Sequence, residues 1–552
     1  MRTTAHRTAA RAAALVTAAA LALAACGGAG GAADSGGSGE PVTGGTLVYL
    51  DKGTFDTLYP PQAGFYPNGG LVNNVTDRLV HQNPATLELE PWLATDWEIN
   101  EDATEYTFTI RDDVTFSDGA PLTAEVVAQN FDLYGLGDED RALIVSEAVN
   151  NYASSEVVDD THVTFHFDAP APGFLQATAT INSGILAPST LEGAFEDFGP
   201  GNAVNVIGTG PFVITDEEIG TSVTLTARED YDWAPASADH QGRAYVDEVQ
   251  VQVTPEASVR VGALLSGQAD LAREVPAQDE ERVTGAGLDL FAPQTRGVNN
   301  SLSLRIGNDI LADLRVRQAL VAGVDRQAIV DTLFTDNYPL ATSILSSEAT
   351  GYIDTSEHYD YDPTRAEQLL DEAGWEVGPD GIRVKDGQVL TLTVNEALPQ
   401  PRSFEVVTQI SQQLREIGVD LQILRADAGT YAEAIQDADQ VQIYHSMVGR
   451  ADMDVIKSQF YSTNRNTLLN RDPQTDQITD PELEGLLEAV ASEPEHEARI
   501  AASQAVQTYL AENAYVIPLF EEPQVFGAQP DIRGVAAESV GRPTFYGMWL
   551  DR

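Results

Sequence analysis

Apolar and polar residues alternate strictly along 105–111, where Tyr106, Phe108 and Ile110 are separated by Thr107, Thr109 and Arg111. A period of two marks a half-buried strand. Asp118-Gly119 then turns the chain, and Thr123 stands where a side-chain oxygen caps a helix whose first turn carries Glu125. In "YDPTRAEQLLDEAGW" the period becomes helical: Asp362 is the expected cap, Pro363 the first residue, Gly374 the stop, and Ala366, Leu369, Leu370 and Ala373 the apolar face. Leu390, Leu392 and Val394 predict a strand. Val407, Ile410, Leu414 and Ile417 predict a helix ending at Gly418, and Val419, Leu421 and Ile423 a second strand. That order predicts a right-handed crossover in a mainly parallel sheet, and an α/β class, pure or mixed with α+β.

The start of the chain follows none of these periods. Arg2, Arg7 and Arg11 precede an uncharged, Ala-rich run over 12–25, the pattern of an export signal and too short for a comfortable permanent span. Leu23-Ala24-Ala25-Cys26 resembles the lipobox of bacterial lipoproteins, which implies a signal peptide over 1–25 and a diacylglyceryl group on Cys26, the single cysteine of the chain. Two acyl chains suffice for stable anchoring. The following stretch to residue 45 is nearly half glycine and reads as a flexible tether spanning roughly 25 Å. The expected location is the extracytoplasmic face of the cell membrane, held there by lipid.

Charge narrows the partners. The chain carries 31 basic and 85 acidic residues. Nucleic acid and anionic membrane surfaces are bound through clustered Lys and Arg and are excluded by such a balance. About 500 residues beyond the tether exceed one ordinary core, so two or three domains are expected. No run beyond the signal approaches 18 apolar residues, so the lipid is the expected membrane attachment.

Enzyme motifs are missing. The chain has no G-x-S-x-G elbow, no phosphate-binding G-x-x-x-x-G-K-[ST] and no G-x-G-x-x-G after a strand. "HEARI" at His496 has Ile500 where a zinc protease has its second histidine. His162 and His166 lie on a strand pattern, where residues four apart are roughly 13 Å apart and cannot share one zinc. Acidic pairs such as Asp112-Asp113, Asp452 with Asp454, and Glu521-Glu522 read as solvated faces in so acidic a chain. No catalytic residue, metal site or cofactor is assigned.

Six ordered motifs carry a family resemblance. "PWLATDW" from Pro91 leads to Tyr106, Phe108, Arg111, Phe116, Asp118-Gly119, Pro121, Thr123-Ala124 and Val126; "GGTL" precedes them. "IGTGPF" (207–212), "LLSGQAD" ending at Asp270, "DLRVRQALVAGVDRQAIV" from Asp313 and "RAEQLLDEAGW" ending at Trp375 follow. Together they resemble the extracytoplasmic solute-binding proteins of family 5, the peptide/nickel class serving ABC importers, over nearly the whole chain beyond the signal. Physically, Gly208 and Gly210 beside Pro211 read as a tight bend, and Val316, Ala319, Leu320 and Gly323 as one helical face.

The resemblance implies a periplasmic-binding-protein-like fold of type II, cluster C: a two-lobed flytrap with an extra inserted domain. The expected spans are 46–82, 201–296 and 517–552 for a discontinuous domain I, 83–200 for a smaller inserted domain II, and 297–516 for domain III. It further implies a monomer that delivers an oligopeptide or related amine-bearing solute to permease and ATPase subunits. In peptide-binding members a W-x-x-D aspartate receives the α-amino group; this places Asp452 at the carboxylate, with Gly449 where the tryptophan would be. Asp452 equally suits the cap of the helix in "DVIKSQF". Arg450 and His445 beside it, and Phe65 and Tyr66 in the loop after the first strand, are the other candidate ligand-binding residues; Arg450 beside Asp452 favours a zwitterionic or anionic ligand. A carboxylate-using secreted hydrolase and a non-transport surface receptor on the same scaffold remain alternatives.

Overall fold

Three sheets organise the protein, and the two larger ones take their strands from distant parts of the chain. The computed structural model describes residues 40–397, 400–463, 468–472 and 474–552. Cys26, the signal segment and the tether up to residue 39 lie outside the described residues. Among the described residues no helix is long and apolar enough to cross a membrane.

The largest sheet has seven strands, with Thr46–Asp51 near its middle, parallel to both Glu248–Val253 and Leu271–Arg273. Its outer pairings, through Ser222–Ala227, Phe212–Glu218, Phe526–Ala528 and Asp289–Phe291, are antiparallel. A second sheet of four antiparallel strands lies within Ala94–Phe167. Tyr106, Phe108 and Ile110 face its core as their period predicts. Thr123 Oγ1 accepts the Val126 N–H to start the helix Ala124–Leu136. His162 and His166 stand on the outer face of the strand His162–Phe167, beside Asp159 and beside Glu105 and Glu156 respectively.

The third sheet has five strands, and here the expectation of a mainly parallel sheet needs correction. Thr391–Asn395 and Asp420–Leu424 pair in parallel around the helix Ser403–Glu416, as the strand–helix–strand period predicts. Gly297–Leu304 runs antiparallel to both its neighbours, Ile443–Gly449 and Val516–Phe520. Both large sheets are therefore mixed: antiparallel strands flank a parallel trio on both sides in the seven-stranded sheet and on one side in the five-stranded one. Val516–Phe520 belongs wholly to this sheet, so the boundary expected at 517 falls inside a strand.

Buried apolar residues form two clusters. One joins a face of the seven-stranded sheet to the four-stranded part, with Phe131, Phe165, Phe174 and Tyr106 among its large residues. The other joins the opposite face, through Leu50, Val261, Leu264 and Val283, to the five-stranded part, where Val316, Ala319 and Leu320 form the expected helix face. The seven-stranded sheet is thus covered on both sides.

The "IGTGPF" bend has a more specific cause than tight turning. A Cβ on Gly208 would lie 2.1 Å from the Val75 carbonyl oxygen, and one on Gly210 2.5 Å from the Val75 carbonyl carbon. Backbone passes against backbone here, and the Gly210 N–H donates to Val75 O at 3.0 Å. Gly210→Ala is expected to cost about 1–3 kcal/mol by overpacking, read as a lower urea midpoint at unchanged slope.

Candidate functional site

The strand Ile443–Gly449 pairs Gly449 with Gly297 and delivers 449–451 to the edge of a cavity of about 380 Å³. Pro61 to Phe65 and Glu538 to Arg542 form one wall, Ile144 to Ala148 with Thr180 to Asn182 another, and Val448 to Ala451 the third. The size and the mixed apolar and polar lining are those of a small-molecule site.

Gly449 explains the missing tryptophan. A Cβ there would meet Thr295 Cγ2 at 2.9 Å and sit 3.5 Å from Tyr66 Oη, so the place of an aromatic wall is filled from behind by other residues. The next residue, Arg450, lines the cavity and forms a two-pronged ion pair with Asp452: Nη2 donates to Oδ1 at 3.0 Å, and Nε donates to Oδ2. Asp452 Oδ1 also accepts the Asp454 N–H at 2.9 Å. Asp452 faces a separate space of about 10 Å³ that it shares with Gly173 and Asp454. Both of its oxygens are engaged, so an incoming ammonium group would have to compete with Arg450. As a cap it is displaced, because the N-cap position of the helix Val455–Phe460 is Asp454.

The remaining candidates separate. Phe65 is 46% exposed and lines the cavity. Tyr66 is the first residue of the helix Tyr66–Val75, not part of the preceding loop, and supports the wall from behind. Its hydroxyl donates to Val540 O at 2.7 Å, while the guanidinium carbons of Arg273 and Arg542 lie 5.2 and 5.0 Å from the centre of its ring. His445 is fully buried inside the third sheet and does not line the cavity. Because Asn300 Nδ2 donates to Glu522, its Oδ1 is left to accept from His445 Nε2 at 2.7 Å, and Nδ1 of the neutral ring then accepts from the Ser403 hydroxyl at 2.9 Å. Burial pushes this imidazole down to about 3, and both its nitrogens are occupied.

Sequence reasoning missed Gln62, Ile144, Val145, Glu147 and Arg542. Ile144 and Val145 are exposed apolar residues, 53% and 48%, in the run "RALIVSEA", the one signal that marked this wall. Gln62 Oε1 is a buried acceptor without a hydrogen-bond partner among the described residues. Among the described residues no group of three His, Cys, Asp or Glu side chains is placed to hold a metal ion.

Comparison with known proteins gives three findings. A family profile described as "Bacterial extracellular solute-binding proteins, family 5 Middle" matches residues 88–467. The "Glutathione-binding protein GsiB" of Salmonella typhimurium is 27% identical over 349 residues, covering 63% of each chain; the "Nickel-binding periplasmic protein" of Escherichia coli is 26% identical over 374 residues, 65% of this chain and 67% of the relative. The chain thus spans less than two thirds of the glutathione-binding relative. In three dimensions the fold is that of NikA from Brucella suis, solved with Fe(III)-EDTA: TM-score 0.77 at 23% identity, covering 92% of this chain and all of that one. The type II periplasmic-binding-protein fold expected from the sequence is the fold observed.

The buried chain through His445 ends where Asn300 Nδ2 donates to Glu522 Oε2 at 3.0 Å. Burial raises the Glu522 carboxyl from 4.5 to about 7 against the pull of that hydrogen bond. A raised acid is held protonated more tightly in the folded than in the unfolded chain, so its contribution is full below about pH 4.5 and lost as pH climbs through about 7. Over that interval the unfolding free energy of the natural protein should fall by about 3 kcal/mol relative to Glu522→Gln, measured by urea titration at each pH.

Proposed function

The chain belongs to the bacterial extracellular solute-binding proteins of family 5, and on that premise we propose that it is the substrate-binding component of an ABC importer, taking an extracellular solute into the cavity beside Phe65 and Arg450. The observation that supports this most is the origin of the walls: they come from residues 61–65 with 538–542, from 144–148 with 180–182, and from 448–451. A ligand touching all three favours the arrangement that brings them together, which is how capture becomes a signal for delivery to permease and ATPase subunits.

The ligand we propose is a short, zwitterionic, peptide-like solute. Arg450 lines the cavity and Asp452 does not, so Arg450 rather than Asp452 meets the acidic group of the solute. Glu147 on the opposite wall suits the ammonium end, and Phe65, Ile144 and Val145 cover its apolar part. The protein acts as a monomer, with no catalytic step in this reading. Cys26 carries the lipid that holds it at the extracytoplasmic face of the membrane, and the Gly-rich tether gives the folded part its reach.

Native mass spectrometry of a chain beginning after Cys26, expressed in peptide-rich medium, should show a small-molecule mass excess that disappears on partial unfolding. Arg450→Gln should lose it. A bare polypeptide mass, combined with no thermal shift on adding dipeptides, would defeat the peptide-like assignment. Metabolic labelling with palmitate should mark the full chain and not Cys26→Ser, which should leave the membrane fraction; equal labelling of both would overturn the anchor.

A further inference from the structure

Gly173 has no conformational reason of its own to be glycine. Its φ of −78° and ψ of −10° are ordinary right-handed values open to any residue. A Cβ at this position, however, would lie 2.3 Å from Asp454 Oδ2 and 3.0 Å from Arg499 Nη2. The missing side chain is therefore demanded by a contact between two parts of the molecule, the one built on the four-stranded sheet and the one built on the five-stranded sheet.

Neither side can yield easily. Phe174, next in the chain, packs against the rings of Tyr106, Phe108, Phe131, Phe165 and Phe167, with centroids 4.6 to 6.3 Å away. That anchors the short helix Phe174–Ala177 in the aromatic core behind it. Across the contact, Arg499 Nη2 donates to Asp454 Oδ1 at 2.7 Å and its Nε donates to Val490 O at 2.8 Å, both side chains being buried. An ion pair held this way cannot swing aside without stranding a buried charge.

Two further contacts cross the same boundary next to the cavity. Gln176 Nε2 donates to Ala451 O at 2.5 Å, and Glu147 Oε2 lies 4.0 Å from Arg450 Nη1. All three are polar or sterically tight, and none is an apolar patch. The four-stranded and five-stranded parts contribute to different hydrophobic clusters among the described residues. Their meeting is thus governed by fit at a few points.

We propose that Gly173 is a positioning residue for ligand capture, letting the four-stranded part seat on the Asp454–Arg499 ion pair and so close the cavity over Arg450. This rests on the solute-binding reading. A methyl group at 173 holds the two parts apart, and a ligand that needs both walls loses part of its contact surface.

The test needs no ligand. In the full chain carrying Cys26→Ser, spin labels on Glu156→Cys and Glu367→Cys, exposed positions on the two parts, report their separation by pulsed EPR. Gly173→Ala should change the mean distance by more than about 2 Å, the scale of a genuine rearrangement. Adding Asp454→Ser, paired with Arg499→Gln so that no buried charge is left without its partner, makes room for the methyl and should restore the parent distance. An unchanged distance in Gly173→Ala, or a change that this pair does not reverse, overturns the proposal. Failure to find a copurifying solute bears on the transport reading and leaves this distance measurement standing.

Discussion

Arg273 and Asp51 are 222 residues apart in sequence and form a bidentate ion pair inside the protein, with Nη2 to Oδ1 at 2.8 Å and Nε to Oδ2 at 3.0 Å. Tyr49 adds a hydroxyl to Asp51 Oδ2 at 2.8 Å, and Arg273 Nη1 donates to Gln524 Oε1 at 3.0 Å. Two buried charges are costly unless every lone pair and proton is satisfied, and here strand ends from three distant stretches converge to satisfy them. The consequence reaches the cavity. The Arg273 guanidinium also lies over the Tyr66 ring, as does that of Arg542; Arg542 Nη2 donates to Gly64 O at 2.6 Å, and Tyr66 donates to Val540 O. One wall is in this way fixed to the central sheet.

Much of the fold was legible because local period and cap chemistry act over a few residues. Asp362 accepts the Arg365 N–H, Gly374 adopts a positive φ of 85°, and Ala366, Leu369 and Leu370 are buried, all as the pattern of that helix requires. Strand direction was not legible in the same way. Nothing in "VIPLF" says that Val516–Phe520 pairs with Gly297–Leu304, since that choice is made by contacts between stretches two hundred residues apart. The demand for glycine at 208 and 210 was visible as a motif, but its cause lies in the approach of Val75, which no neighbouring residue announces.

The site was legible in part for the same reason. Arg450 and Phe65 lie at strand and helix ends, where side chains reach clefts, and both line the cavity. His445 sits on the same strand as Arg450 and looked equivalent, yet Ser403 and Asn300, each far away in sequence, enclose it. Asp452 was found as a carboxylate beside the cavity, but its use is decided by the arginine two residues before it. A motif therefore pointed to the edge of the cavity, while pairing geometry determines which charge faces it. Gln62 and Glu147 carried no local mark at all.

The two apolar clusters explain how such a molecule can be firm and still open. Cluster one binds the four-stranded part to the central sheet, and cluster two binds the five-stranded part to its opposite face. Each part is stable through burial it does not share with the other. Separating their mutual contact exposes Gln176, Gly173 and the Glu147–Arg450 approach, and leaves both clusters closed. Polar contacts exchange readily with water and are worth little net, so on the proposed solute-binding reading an open and a closed arrangement would differ by a small free energy. A solute bridging the walls needs only to exceed that difference to set the balance. On that reading, placing fit and charge, instead of apolar burial, where the two parts meet is what would make the equilibrium responsive to a small ligand.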